Sequence, residues 1–133
     1  MIVGGYVVPW EDEDKKYLKL LWSNICALVA NFLDNSVTPI VDYVVSPHNL
    51  HYIKELQHTY DVRIKYVVLM ADEQTLIARD AQREPDCVMG QRVVELLHKF
   101  KERNIDPKFI LDTSYMTIEE VVEEVVTKDR FLI

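Results

Sequence analysis

Glycine is nearly missing from this chain: only Gly4, Gly5 and Gly90 occur in its 133 residues. Backbones that fold tightly around phosphate groups rely on glycine, so a glycine-rich phosphate cradle has almost no place to be. Basic residues are also in deficit, with 15 Lys and Arg against 22 Asp and Glu and a formal net charge of −7. General nucleic-acid binding needs clustered Lys and Arg to neutralise phosphates, so no nucleic-acid partner is expected. Cysteine is scarce as well. Cys26 and Cys87 are too few and too far apart for a disulfide framework, which points to reduced thiols and the cytoplasm. No apolar run approaches the roughly 20 residues of a membrane span. No basic segment followed by an apolar one marks a secretory leader.

What remains is ordinary core material. Apolar residues make up 49% of the chain and charged residues 28%, the balance of a globular protein with one modest core. A single domain over residues 1–133 is the expectation, with no internal repeat or linker.

The patterning alternates. "MIVGGYVVPW" reads as a short strand or bent extended segment stopped by Pro9. A helix from about Glu11 to Leu33 follows, with Leu18, Leu21, Trp22, Ile25, Val29 and Phe32 at helical spacing. "TPIVDYVVS" predicts a buried strand over Ile40–Val45, and Ser46-Pro47 then opens a helix running to about Tyr60. "IKYVVLM" predicts a second strand, over Lys65–Met70. The next helix, from about Asp72, carries "ARDAQRE" until Pro85 ends it. Asp86 suits the cap of a further helix with Val93, Leu96, Leu97 and Phe100 on one face. "KFILDTS" predicts a third strand, and the capping box Thr117–Glu120 opens a last helix with Ile118, Val121, Val122 and Val125 inside. Strands apolar on both faces, alternating with helices, indicate an α/β fold: a parallel sheet covered by helices.

The ordered set "IVDYVVS", "KYVVLM", "LIARDAQRE" with "MGQR", and "FILDTSYMTIEEVVEEV" resembles the P-loop kinase superfamily. The nearest likeness is to small nucleotide-kinase-like and chloramphenicol-phosphotransferase-like proteins. The resemblance covers roughly residues 11–126. It makes these segments the third strand, the fourth strand, a phosphate-closing lid at about 72–103, and the fifth strand with the last helix. It implies ATP and Mg²⁺ as cofactors and a nucleotide and a small-molecule acceptor as partners. One departure is large: no G-x-x-x-x-G-K-[ST] occurs, and that motif's backbone N–H groups, Lys and hydroxyl serve the phosphates and Mg²⁺. The chain therefore looks like a partial P-loop kinase fold, lacking the first strand and phosphate loop.

The resemblance places roles on particular residues. Arg79 and Arg83, one helical turn apart, would clamp phosphoryl oxygens. The alternative is a solvated helix face pairing with Asp80, Glu84 or Asp86. Arg92, after Gly90, matches a second lid arm. Asp42, at the end of the third strand, would orient metal-bound water or accept a hydroxyl proton; a helix-capping or ion-paired carboxylate is the alternative. Asp112, Thr113 and Ser114 lie where the family places the base, and equally form an ordinary strand-to-helix turn. Trp10 and Glu11 would border the acceptor, with Trp10 as packing anchor the other reading. His48 and His51 share a helix face, yet no third ligand at metal spacing accompanies them, so no metal site is expected. Cys26 reads as core, and Cys87 has no neighbouring His to activate it.

Two functions follow as expectations. One is the C-terminal part of an ATP-dependent small-molecule or nucleotide kinase, inactive alone. The other is a non-catalytic α/β module that binds or self-associates. In the family the first strand lies between the third and fourth, so its loss would leave unpaired edges. The two strands can pair directly, "IVGGYVV" can add at an edge in its own chain or a neighbour, and the expectation is a twofold homodimer near the N-terminal segment.

Overall fold

The computed structural model describes residues 15–133. The segment "MIVGGYVVPW", and with it Trp10 and Glu11, lies outside the described residues. The described residues group into two compact units that divide between Val62 and Arg63.

The first unit is a helix pair. Helix α1 spans Lys15–Asp34 and α2 spans Leu50–Tyr60. Along α1, Trp22 is fully buried, Leu18, Leu21, Ile25 and Val29 are half-buried, and Phe32 at its far end is exposed. Trp22 stacks on Tyr52 of α2 at 5.7 Å between ring centroids and meets Tyr43 edge-on at 5.9 Å. Such aromatic pairs add about 1 kcal/mol each beyond the area they bury. The entry to α2 is fixed by Ser46, whose N–H and Oγ both donate to Asn49 Oδ1, with Pro47 opening a single 3₁₀ turn. Asp61 ends α2 in the left-handed region, at φ 50°.

Between the two helices the sequence expectation fails. Residues 37–46 form no strand, and Ile40 is 94% exposed. A β-branched run becomes a strand only against a neighbour that shares its hydrogen bonds and buries a face. Among the described residues this run has no such neighbour.

The second unit is a parallel β-α-α-β arrangement followed by a helix. Strand β1 is Val68–Met70, α3 is Glu73–Asp80, α4 is Arg92–Lys101, β2 is Ile110–Asp112 and α5 is Ile118–Thr127. β1 and β2 pair in parallel, with Val68 opposite Ile110 and Met70 opposite Asp112. Parallel strands need a crossover connection, and α3 and α4 supply it. Tyr66, Val68, Ala71, Val93, Leu97, Ile105, Leu111 and Phe131 form the core, and Phe131 is completely buried. The C-terminal segment continues the pairing: Tyr66 N donates to Phe131 O at 2.9 Å and Ile133 N donates to Ile64 O at 3.2 Å. The fold is thus mixed helix and strand, mostly helical, with a two-stranded parallel sheet.

Helix boundaries in this unit follow local chemistry. The Asp72 carboxylate accepts from Thr75 N at 2.7 Å and caps α3. The reciprocal bonds of Thr117 and Glu120 cap α5. The expected helix from Asp86 does not start there. Pro85–Cys87 make one 3₁₀ turn, Gly90 takes φ 59°, and α4 begins at Arg92. Glycine takes this left-handed conformation without penalty, so Gly90 precedes the helix rather than interrupting it. Helix α3 also stops at Asp80, short of Pro85. Its last turn tightens as Gln82 N reaches Arg79 O and Arg83 N reaches Asp80 O. No described helix is long and apolar enough to cross a membrane.

Candidate functional site

The carboxyl ends of β1 and β2 are laced together by short polar side chains. Thr113 N and Thr113 Oγ1 both donate to Met70 O, at 2.7 and 3.0 Å. One residue on, Ser114 Oγ donates to Asp112 Oδ1 at 2.5 Å and accepts from Asp72 N at 2.8 Å. The two strand-to-helix loops therefore hold each other. These bonds have an electrostatic consequence. The Ser114 hydroxyl, then the Ser114 amide, hold the Asp112 carboxyl below the usual carboxylate range, with Arg79 adding to the effect. Hydrogen bonding from Thr75 at the start of α3 does the same for Asp72.

Helix α3 projects Arg79 onto this junction. Its Nη1 donates to Thr113 Oγ1 at 2.9 Å and its Nη2 to Thr113 O at 2.6 Å. Two of the five guanidinium N–H groups are used in these bonds. Thr113 is buried, and its hydroxyl both donates and accepts, so it is satisfied on both counts. Arg79 thus clamps the end of β2; the alternative, pairing with nearby acids, is met by Arg83 with Asp80.

Asp80, next in sequence, does the opposite work. Its side chain is only 5% exposed. The carboxylate accepts from Met89 N at 3.1 and 3.0 Å and from Gly90 N at 2.7 Å. That carboxylate folds the turn after α3 back on the helix end. Arg83, beyond the end of α3, approaches Asp80 Oδ1 at 3.6 Å through Nε and keeps half of its side chain in solvent.

Arg79, Asp80, Arg83 and Thr113 line one cavity of about 260 Å³, together with Leu69, Met70, Ala71, Leu76 and Val93. It lies at the carboxyl ends of the parallel strands, where α/β sheets take their ligands. A larger hollow of about 320 Å³ lies along α5, but Glu120, Glu123 and Glu124 line it. That acidic wall repels the anions the arginines would attract, so the smaller cavity is the candidate site.

The structure thus brings together Arg79, Arg83 and Thr113, with Asp112 ending β2 and Ser114 in the adjoining loop. Arg92 starts α4 and is exposed, and it does not line the cavity. Asp42 belongs to the other unit, in the exposed irregular segment, and does not sit at a strand end. Sequence reasoning assigned Asp80 only as an ion-pair partner and missed it as the anchor of the turn. A signal existed: a carboxylate in the last turn of a helix opposes the helix dipole and needs a compensating partner.

No protein-family model matches the chain, and no curated protein matches it.

Proposed function

We propose that this chain is the C-terminal portion of an ATP-dependent small-molecule or nucleotide phosphotransferase. On this reading it contributes the arginine-bearing end of the nucleotide site and has no turnover of its own. The observation that carries the reading is the convergence of Arg79, Arg83 and Thr113 on one cavity at the carboxyl ends of two parallel strands. Phosphoryl transfer is mainly positioning and charge stabilisation. Arg83, half in solvent and 3.6 Å from its carboxylate partner, is placed to exchange Asp80 for a phosphate oxygen. Arg79, held by Thr113, keeps further N–H donors for the same ligand.

The residues fit part of a nucleotide. A lining that mixes apolar side chains with a few polar groups suits a base or sugar, and Arg83 suits a phosphate. When bound, ATP supplies the transferable phosphoryl group, and these residues would bind and orient it. They do not make a magnesium site by themselves: Asp80 is the one carboxylate among the described residues that line the cavity, and it already accepts from two backbone amides.

The same geometry favours a second reading on one point. Arg79 spends two donors on Thr113, as a structural clamp in a non-catalytic binding or self-associating module would. Calorimetric titration of the purified chain with ATP separates the two. The first reading expects weak binding, with Kd on the order of 0.1–1 mM and at least about tenfold weaker in Arg83→Ala. Absence of binding at about 5 mM ATP, well above that range, would leave the non-catalytic module standing.

A further inference from the structure

The two outer edges of the sheet in the second unit are treated differently. In an extended chain the N–H and C=O of one residue point to one side and those of the next residue to the other. Met70 O accepts from Thr113, Tyr66 N donates to Phe131, and Ile64 O accepts from Ile133. The even-numbered residues from Ile64 to Met70 therefore face β2 and the C-terminal segment. Lys65, Val67 and Leu69 face the other way. Among the described residues, no hydrogen bond reaches the backbone N–H or C=O of those three.

The outer edge of β2 is guarded. Arg130 Nη1 donates to Lys108 O at 3.1 Å and Ile110 O at 3.2 Å, covering the carbonyls that a further strand would need. Among the described residues the outer edge of β1 has no equivalent guard. Between Ile64 and Met70 the only charged residue is Lys65. Its Nζ is bound to Val125 O and Val126 O, at 2.8 and 2.6 Å. The charge that would ordinarily discourage strand addition is thus spent at the carboxyl end of α5. Leu69 stays 58% exposed on the open edge.

We propose that this edge receives β1 of a second copy of the chain, antiparallel about a twofold axis at Val67. That register places Val67 opposite Val67 and Leu69 opposite Lys65. All three are outward-facing residues, giving up to about six inter-chain hydrogen bonds. It sets no like charges opposite one another, since each Lys65 meets a leucine. The result is a continuous four-stranded sheet whose remaining edges are the two guarded by Arg130. An edge that is apolar, unguarded and compatible with its own reverse is suited to its own copy before any other partner. The inference is independent of the nucleotide reading, and either can fail without the other.

Such a pairing is small by interface standards, so the dimer is weak and reversible, forming at concentrations on the order of 100 µM. Sedimentation velocity of the full chain from about 10 to about 500 µM, with amide exchange by NMR at both ends of that range, tests it. The expected result is concentration-dependent dimerisation in which the amides of Lys65, Val67 and Leu69 gain protection. Those of Tyr66, Val68 and Met70 should be protected throughout. Leu69→Lys should weaken association at least about tenfold with an unchanged melting temperature. Should that variant fail to fold, the wild-type exchange pattern decides alone. A monomer at every concentration would overturn the proposal. So would protection of the three outward amides that does not depend on concentration, as would a dimer untouched by the folded Leu69→Lys variant.

Discussion

Replacing Asp80 with alanine should loosen the turn between α3 and α4 and destabilise the second unit more than any other single change at the site. The wild-type carboxylate takes the N–H groups of Met89 and Gly90 at 3.0 and 2.7 Å and is almost completely buried. A hydrogen bond to a charged group contributes about 1.5–3 kcal/mol, and the truncated variant leaves both amides without an acceptor. Because those amides are only partly buried, water recovers some of the loss, and about 3 kcal/mol is the expected cost. In a domain of 60–100 residues each kcal/mol moves the melting temperature by about 4–8 °C, so a fall of more than about 10 °C should follow. Asp80→Asn retains one acceptor oxygen and should cost roughly half as much. Arg83→Ala removes only a 3.6 Å contact from a half-exposed side chain and should cost under about 0.5 kcal/mol. Urea titration of the three variants, followed by far-UV circular dichroism, reads the order directly. If Asp80→Ala loses no more stability than Arg83→Ala, the carboxylate does not anchor the turn and the reasoning is wrong.

Three further outcomes are expected. Gly90→Ala should cost about 1 kcal/mol in the same titration. The reason is the left-handed φ of 59° and not crowding, since nothing lies within 4 Å of an added Cβ. Asp72 and Asp112 are held below the ordinary carboxylate value of 3.8, so their stabilising contribution is present above that value and is lost as pH falls through their lower folded values. Thermal midpoints should accordingly hold from neutrality to about pH 4 and fall below it, with a shallower acid limb in Asp72→Asn, which keeps a helix cap but cannot titrate. Finally, purified chain incubated with ATP and a panel of hydroxyl acceptors should release no ADP in a coupled assay. Steady turnover abolished by Arg83→Ala would refute the claim that the missing phosphate cradle matters.

Features decided within a few residues were legible in the sequence. The capping box at Thr117–Glu120, the Ser46-Pro47 entry to α2 and the short strand ending at Asp112, buried only at Leu111, rest on contacts close in sequence or on a local apolar run. What was not legible depends on distant partners. Ile40–Val45 has the composition of a strand but no neighbour among the described residues, and composition alone cannot supply one. The site shows the same division. Arg79 and Arg83 stood out because three of the six arginines of an acidic chain fall between positions 79 and 92. That Arg79 would close on Thr113, 34 positions away, required the β1–β2 pairing to be in place. Asp80 was overlooked because its ligands are backbone amides, which every residue carries and no sequence pattern displays. The start of α4 lies beyond the expected Asp86 cap because the chain first makes a 3₁₀ turn and Gly90 takes a positive φ.

The central claim is that the cavity bounded by Arg79, Arg83 and Thr113 binds a nucleotide through its phosphates. The most direct measurement is a titration of isotope-labelled chain with ATP, followed residue by residue by NMR. The account predicts saturable shifts at the amides of Leu69, Ala71, Thr113 and Ser114 and at the Arg83 side chain, with saturation at least about tenfold weaker in Arg83→Ala and competed by inorganic phosphate. Shifts confined to α5 or the first unit, or no shift at about 5 mM ATP, beyond the weak affinities considered, would contradict it.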